Sequence, residues 1–206
     1  MKIVCVGAHP DDVELGMGGT IANHVKNGDQ VSIILCTLGG VSGDPKSREK
    51  EAFQASKRLG VKDLQILDYP AFKLNKPEPE FTGILEKILD RIKPTRVYTH
   101  ALTDFHQVHV GVSKSVVKAS KKIDQILFYE TISSTTPEFL PNAYMDITNT
   151  INLKIKSLQS HKSQAQRFYI KPNIVKSLAN MRYVWGKVGP NSNGYAEAFY
   201  IYKFIN

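Results

Sequence analysis

Between residues 9 and 14 the chain sets one imidazole and three carboxylates, His9, Asp11, Asp12 and Glu14, directly after an apolar run in IVCVGAHPDDVELGMGGT (3–20). Desolvating four ionisable groups without partners is costly for each of them. A bound dication is one way to compensate them. A mononuclear zinc site that stays open to water uses about three protein ligands of the His/Asp/Glu type. A tight turn can aim His9 and Asp12, three residues apart, at one point. Far along the chain, FHQVH supplies His106 and His109, which share a face if they open a helix. His9, Asp12 and one of His106 or His109 would complete a ligand set. Each stretch also has a plainer reading. HPDD can be a helix N-cap with an Asx turn, and a lone HxxH is commonly a pair of surface or cap histidines. Two such constellations at strand ends favour the metal.

The elements that must hold these residues are legible as alternating strands and helices. KIVCVG (2–7) reads as a buried strand, GTIANHVKNGD as a helix closed by Gly28, and QVSIILCT (30–37) as a second buried strand. LGGVSGDP is a glycine-rich loop. SREKEAFQASKRLG reads as a helix with Ser47 as N-cap and Gly60 as C-cap. DLQILDY (63–69) predicts a strand, FTGILEKILDRI (81–92) an amphipathic helix, TRVYTH (95–100) a strand, VGVSKSVVKAS a helix and QILFYE (125–130) a strand. From about residue 131 the pattern loosens into a helix over 151–166 and a final edge strand, EAFYIYKF. The expectation is an α/β fold, a Rossmann-like three-layer sandwich with a mostly parallel central sheet and a small C-terminal appendage. Ligands in such folds bind outside the carboxyl ends of the strands, where both polar constellations fall.

Composition narrows the class. The 206 residues are enough for one domain, expected over 1–206, and 42% hydrophobic with 22% charged residues describes an ordinary globular chain. The longest apolar runs are too short for a transmembrane helix, and Met1-Lys2 leads straight into IVCVG without a signal-peptide pattern. A cytoplasmic protein is expected, with Cys5 and Cys36 as buried free thiols. A net charge of +8 points to an anionic partner such as nucleic acid, anionic lipid or a phosphorylated small molecule. The lysines are dispersed, without an Arg-rich or aromatic-interleaved basic stripe, which argues against a nucleic-acid module. GMGGT follows a strand and opens a helix, yet its spacing is G-x-G-G, and the preceding acids put negative charge where a pyrophosphate would sit. A dinucleotide-binding oxidoreductase is therefore disfavoured.

AHPDDVELGMGG closely resembles the AHPDDxExGxGG motif of the LmbE-like, or PIG-L-type, N-acetylglucosaminyl deacetylases, and TDFHQVHVGV resembles their DxHxDH motif. TLGGVSG, REKEAFQASKRLG, FLPNAYMDIT, HKSQ and YAEAF are similar to further segments of that family. The resemblance implies a divalent metal, usually zinc with ferrous iron as the second choice, and hydrolysis of an acetamide on an amino-sugar conjugate. Carried over by position, His9, Asp12 and His109 are the metal ligands. Asp11 is the general base for the attacking water, and His106 stabilises the oxyanion or protonates the leaving amine. Arg48 reaches the substrate, and Glu14 supports a ligand or contacts a sugar hydroxyl. The positive charge suits a phosphorylated conjugate, and family members often form trimers or hexamers.

One position departs from that pattern: Val108 stands where the family has an aspartate. A carboxylate there would orient a catalytic histidine, so Asp104 and Glu14 become the candidates to replace it. A non-catalytic sugar or nucleotide-sugar binding protein on the same scaffold is the alternative this substitution leaves open. Plainer readings go to the rest: Ser163 and Gln164 as loop residues, His100 and His161 as structural histidines, and Tyr195 and Glu197 near the site mouth or paired with Arg48.

Overall fold

Apolar residues at successive positions of a short run predict a strand covered on both faces. KIVCVG behaves this way: in β1 (Lys2–Gly7), Ile3 and Cys5 enter one core cluster while Val4 and Val6 enter another. The computed structural model describes residues 1–39 and 44–205, so the middle of the loop read from LGGVSGDP lies outside the described residues. Six further strands follow: β2 (Gln30–Leu35), β3 (Asp63–Ile66), β4 (Arg96–His100), β5 (Gln125–Tyr129), β6 (Ala143–Asp146) and β7 (Ala196–Phe204). Their order in the sheet is β3-β2-β1-β4-β5-β7-β6. The first five are parallel, and β7 runs antiparallel to both β5 and β6.

Helices α1 (Asp12–Lys26), α2 (Pro45–Leu59) and α5 (Ile151–Leu158) pack together on one face of the sheet. On the other face α3 (Pro79–Ile92) lies against α4 (Gln107–Ala119). Helix α6 (Pro172–Trp185) packs on β7 and β6, and its Val175 and Ala179 share an apolar cluster with Leu15 of α1 and Ile151 and Ile155 of α5. This is the three-layer, mostly parallel α/β arrangement expected from the alternation of elements. Among the described residues, no helix is long and apolar enough to cross a membrane. Cys5 and Cys36 are free and buried, and burial pushes both thiols up.

Several boundaries differ from expectation for local reasons. The first helix begins at Asp12, well before Gly19, because the HPDD turn itself starts it. The N-cap of α2 is Asp44 rather than Ser47: the Ser47 amide and hydroxyl both donate to Asp44 Oδ2 at 2.9 Å, and Pro45 occupies the first turn. The helix expected over 151–166 ends at Leu158, and a 3-10 turn follows at Lys162–Gln164. The last strand is not at the edge, since β6 lies outside it. Neither β6 nor α6 announces itself in the sequence. The first is four residues long and only partly buried, and the N-cap of the second, Lys171, makes no side-chain cap bond.

Helix α4 comes close to the chain before α3. A Cβ on Gly111 would sit 1.8 Å from the Leu74 carbonyl oxygen, a backbone atom that cannot swing away. Gly111→Ala should therefore cost at least about 2 kcal/mol, by analogy with overpacked cores. Denaturant unfolding measures this, and an unchanged midpoint would mean that α4 is free to shift.

Candidate active site

β1 and β4 are neighbours, with Ile3 opposite Arg96, Val4 opposite Val97 and Cys5 opposite Tyr98. The chain leaves β1 toward β2 and β3 on one side and continues through β4 to β5 on the other, so this pair is the switch point of the sheet. Crevices at the carboxyl ends of strands at such points are where open α/β sheets bind ligands. His9, Asp11 and Asp12 follow β1, while His100, Asp104, His106 and His109 close or follow β4.

The turn after β1 is held in an uncommon conformation. Asp11 has φ 103° and ψ −25°, a left-handed backbone in a non-glycine residue. Strain of this kind persists only where surrounding contacts impose it, and it clusters at functional sites. The contacts are visible here. The His9 amide donates to Asp12 Oδ2 at 2.7 Å, the Leu15 amide donates to the Asp11 carbonyl at 2.9 Å, and Arg48 Nη2 donates to the Pro10 carbonyl at 2.6 Å. Gly39, at φ 87°, makes room for the Arg48 guanidinium, since a Cβ there would lie 2.4 Å from Nη1.

Three donor atoms from distant parts of the chain then meet. His9 Nδ1 is 3.1 Å from Asp12 Oδ2, His109 Nε2 is 3.3 Å from the same oxygen, and the two imidazole nitrogens are 3.2 Å apart. Two overlapping sets, His9–His106–His109 and Asp12–His100–His109, also meet the spacing for an ion. His100 is the weaker donor, because its Nε2 already accepts from the Ala8 amide at 3.0 Å. His109 Nδ1 faces Asp104 Oδ2 at 3.1 Å, which leaves its Nε2 aimed at Asp12 and His9. A carboxylate behind an imidazole is the usual support of a metal-ligating histidine.

Electrostatics separates the adjacent carboxylates. Burial and the charge of Asp12 push Asp11 up to about 7, against opposing pulls from His161, Arg48 and His9. Burial would also raise Asp12, but His109, His9 and His100 converge on it and hold it well below the usual carboxylate range. Burial opposes the charge on His109, yet Asp12 and Asp104 outweigh it and raise the imidazole to about 10. His106 moves the other way, to about 4, through burial and the neighbouring His109 and His9.

A cavity of about 440 Å³ opens over these groups, lined by His9, Asp11, Asp12, Arg48, His106 and His109, and also by Val108, Ser133, Ser134, Gln164, Arg167 and Tyr169. Glu14 is elsewhere: it is buried behind the turn, 3.7 Å from His161 Nε2. Glu197 pairs with Lys154 rather than Arg48. Gln164, read as a loop residue, reaches the cavity. Ser133, Ser134, Arg167 and Tyr169 escaped sequence reasoning, because they lie in a loop and around a single 3-10 turn, without chemical spacing to mark them. His100 and Asp104 back the site from β4 and the loop after it, and the D-x-H spacing of TDFH was the signal for the latter.

The switch-point crevice and its histidine–carboxylate cluster define an α/β protein with an open cavity beside a candidate cation site. Residues 4–120 match the PIG-L family, described as GlcNAc-PI de-N-acetylase, and the chain belongs to that family. It is 32% identical over 168 residues to the uncharacterized deacetylase YaiS of Escherichia coli (strain K12), covering 78% of this chain and 90% of that one. It is 25% identical over 186 residues to the diacetylchitobiose deacetylase of Thermococcus kodakarensis, covering 79% and 70%. The crystal structure of the conserved protein TT1542 from Thermus thermophilus superposes with a TM-score of 0.83 at 29% identity, over 99% of this chain and 96% of that one.

The Asp104–His109 contact carries a pH signature in the metal-free protein. The imidazole, near 6.5 when unfolded, is raised to about 10 in the fold. Its stabilising contribution is thus complete below 6.5 and is lost as the pH climbs through about 10. Asp104→Asn lowers the folded-state value, so it should destabilise the metal-free protein more at about pH 6 than at about pH 10.5. Denaturant melts at the two values test this, and equal losses at both would contradict it.

Proposed function

We propose that the protein is a metal-dependent hydrolase that removes the N-acetyl group from an amino-sugar conjugate, releasing acetate and the free amine. The observation that carries this reading is the triangle of His9 Nδ1, Asp12 Oδ2 and His109 Nε2, with sides of 3.1, 3.3 and 3.2 Å, beside an Asp11 carboxylate that is not part of it. Imidazole N–H groups directed at Asp12 Oδ2 can hold the three atoms together, and a divalent ion can take the place of those protons on the same donor set. Three donors about 2.1 Å from a tetrahedral ion stand roughly 3.4 Å apart, close to these spacings. Two imidazoles and one carboxylate suit zinc, with ferrous iron as the second choice. Family membership and the relatives named as deacetylases support the reaction class.

When bound, such an ion supplies Lewis acidity toward a carbonyl and makes nearby water more acidic. The chain's own groups do the rest. Asp11, lining the cavity and outside the triangle, accepts a proton from the water whose oxygen attacks the acetamide carbon. As the C–N bond breaks, the same carboxyl returns that proton to the departing amine. Arg48, 3.7 Å from Asp11 and bonded to the Pro10 carbonyl, holds the base in place. His106, driven to about 4, is neutral near pH 7, so its N–H donates to the developing oxyanion and does not act as the acid. Arg167 at the cavity wall is placed to meet an anionic group on the conjugate, a phosphate included. The cavity is lined by residues from His9 to Tyr169, which supports taking the chain, 1–206, as one catalytic domain.

The test is acetate release from N-acetylglucosamine and its short conjugates, with and without a chelator. Wild-type protein should lose activity on metal removal and regain it with zinc or ferrous iron. Asp11→Asn should lower kcat by about 10²–10⁴-fold while zinc is retained. His9→Ala and Asp12→Ala should lose the metal itself. Activity that survives both chelation and Asp11→Asn would sink the mechanism. Stoichiometric metal and sugar binding without any acetate release would favour a binding protein on this scaffold.

A further inference from the structure

The glycine-rich GMGG that follows the HPDD turn takes no part in the chemistry above, and its role is structural in an unusual way. Helix α1 is broken at Met17, whose φ of −149° and ψ of 24° are not helical. In an unbroken helix the Gly19 amide would bond to the Leu15 carbonyl. Here a buried ion pair occupies that gap. Lys154 Nζ donates to the Leu15 carbonyl at 2.7 Å, the Gly19 amide donates to Glu197 Oε1 at 3.0 Å, and Lys154 Nζ meets the same Oε1 at 2.6 Å. Glu197 Oε2 also accepts from the Thr20 amide at 2.7 Å, so its carboxylate caps the second half of the helix. Side chains inserted into the backbone ladder are a recognised cause of sharp helix kinks.

The glycines make the insertion feasible. A Cβ on Gly16 would lie 2.2 Å from the Tyr129 ring, and one on Gly18 would press on the Lys154 stem at 3.2 Å. The Tyr129 hydroxyl in turn donates to the Val6 carbonyl of β1 at 2.9 Å. The short segment Asp12–Gly16 is therefore clamped at its far end by Lys154 of α5 and Glu197 of β7, and at its near end by the strained turn that carries Asp11. Both clamp residues lie beyond the family match over residues 4–120.

We propose that Lys154 and Glu197 are positioning residues that set the angle of the first turn of α1 and so aim Asp12 at His9 and His109. The inference rests on the metal-site reading above. If the clamp orients a ligand, coupling is reciprocal, and the ion must tighten the clamp in return. In the full-length wild-type protein, adding zinc should slow hydrogen exchange at the Gly19 and Thr20 amides. Glu197→Ala and Lys154→Met should weaken zinc affinity by about 2–30-fold, the range for residues that act on a site without touching its ligands, measured against a chromogenic chelator. Glu197→Gln, which keeps an acceptor oxygen for the Gly19 amide, should recover part of that loss. A purely structural pair would alter melting temperature and leave zinc affinity alone. Folded variants with wild-type zinc affinity would overturn the clamp. Should the variants fail to fold, zinc-independent exchange at Gly19 and Thr20 in the wild type overturns it instead. Absence of zinc uptake by the wild type would overturn the metal reading itself, and this inference with it.

Discussion

Parallel pairing of β1 with β4 brings two stretches of chain, separated by some ninety residues, to one end of the sheet, and every other feature of the site follows from that adjacency. Neither stretch can form a site alone. His9 and Asp12 would be a capped turn, and His109 a histidine in the first turn of a helix. The pairing requires both strands to be covered on both faces, because a parallel strand with one polar face would leave a layer of helices unsupported. The alternate assignment of Ile3 and Cys5 to one cluster and Val4 and Val6 to the other is how the sequence meets that demand. Ser113 of α4, donating to the His100 carbonyl at 2.6 Å, then ties the helix that carries His109 to the end of β4.

Given that adjacency, the electrostatic problem posed by HPDD has a specific solution. Two neighbouring buried carboxylates cannot both sit in the same field. Asp12 faces three imidazoles and is held ionised, whereas burial and the charge of Asp12 push Asp11 up to about 7. Two adjacent buried residues of one chemical type are thereby assigned opposite behaviour by their different neighbours, one suited to holding a cation and the other to carrying a proton. Pairs of titratable groups driven apart in this way are the mark of acid–base sites. Replacing the left-handed residue by one unable to adopt that backbone would therefore damage chemistry and folding together.

Much of this was legible in the sequence, and the limits have physical causes. The parallel strands announced themselves by continuous apolar runs, and the chemistry by the density of His and Asp at their ends. The C-terminal third was not legible to the same degree. β6 is short and half-covered, α6 lacks a capping side chain, and β7 lies inside the sheet although its outer half alternates like an edge strand. The cavity wall built from Ser133, Gln164, Arg167 and Tyr169 comes from loops and single 3-10 turns, whose contributions depend on tertiary placement that no periodicity encodes. The pairing of Lys154 with Glu197 was hidden for another reason. A lysine on a helix and a glutamate on a strand look alike in sequence whether they are exposed or buried and paired, and only the break in α1 explains why both are tolerated in the interior.

The departure at Val108 is best understood through the same competition between packing and charge. Val108 contacts the apolar cluster beneath α4 that contains Val4, Val6 and Val112. A carboxylate in its place would have to turn toward the cavity or be desolvated among valines. With valine present, the carboxylate service in this motif falls to Asp104, which faces His109 Nδ1 at 3.1 Å and accepts from the His106 amide at 2.8 Å. One aspartate thus supports the side chain of His109 and the backbone of His106, while no carboxylate among the described residues bonds the His106 imidazole. That imidazole stacks on His109 at a centroid distance of 4.4 Å, and burial with the neighbouring His109 and His9 lowers it to about 4. A neutral imidazole donates a hydrogen bond without being a strong acid, which is the basis for assigning proton transfer in the proposed reaction to Asp11 and the steadying of negative charge to His106.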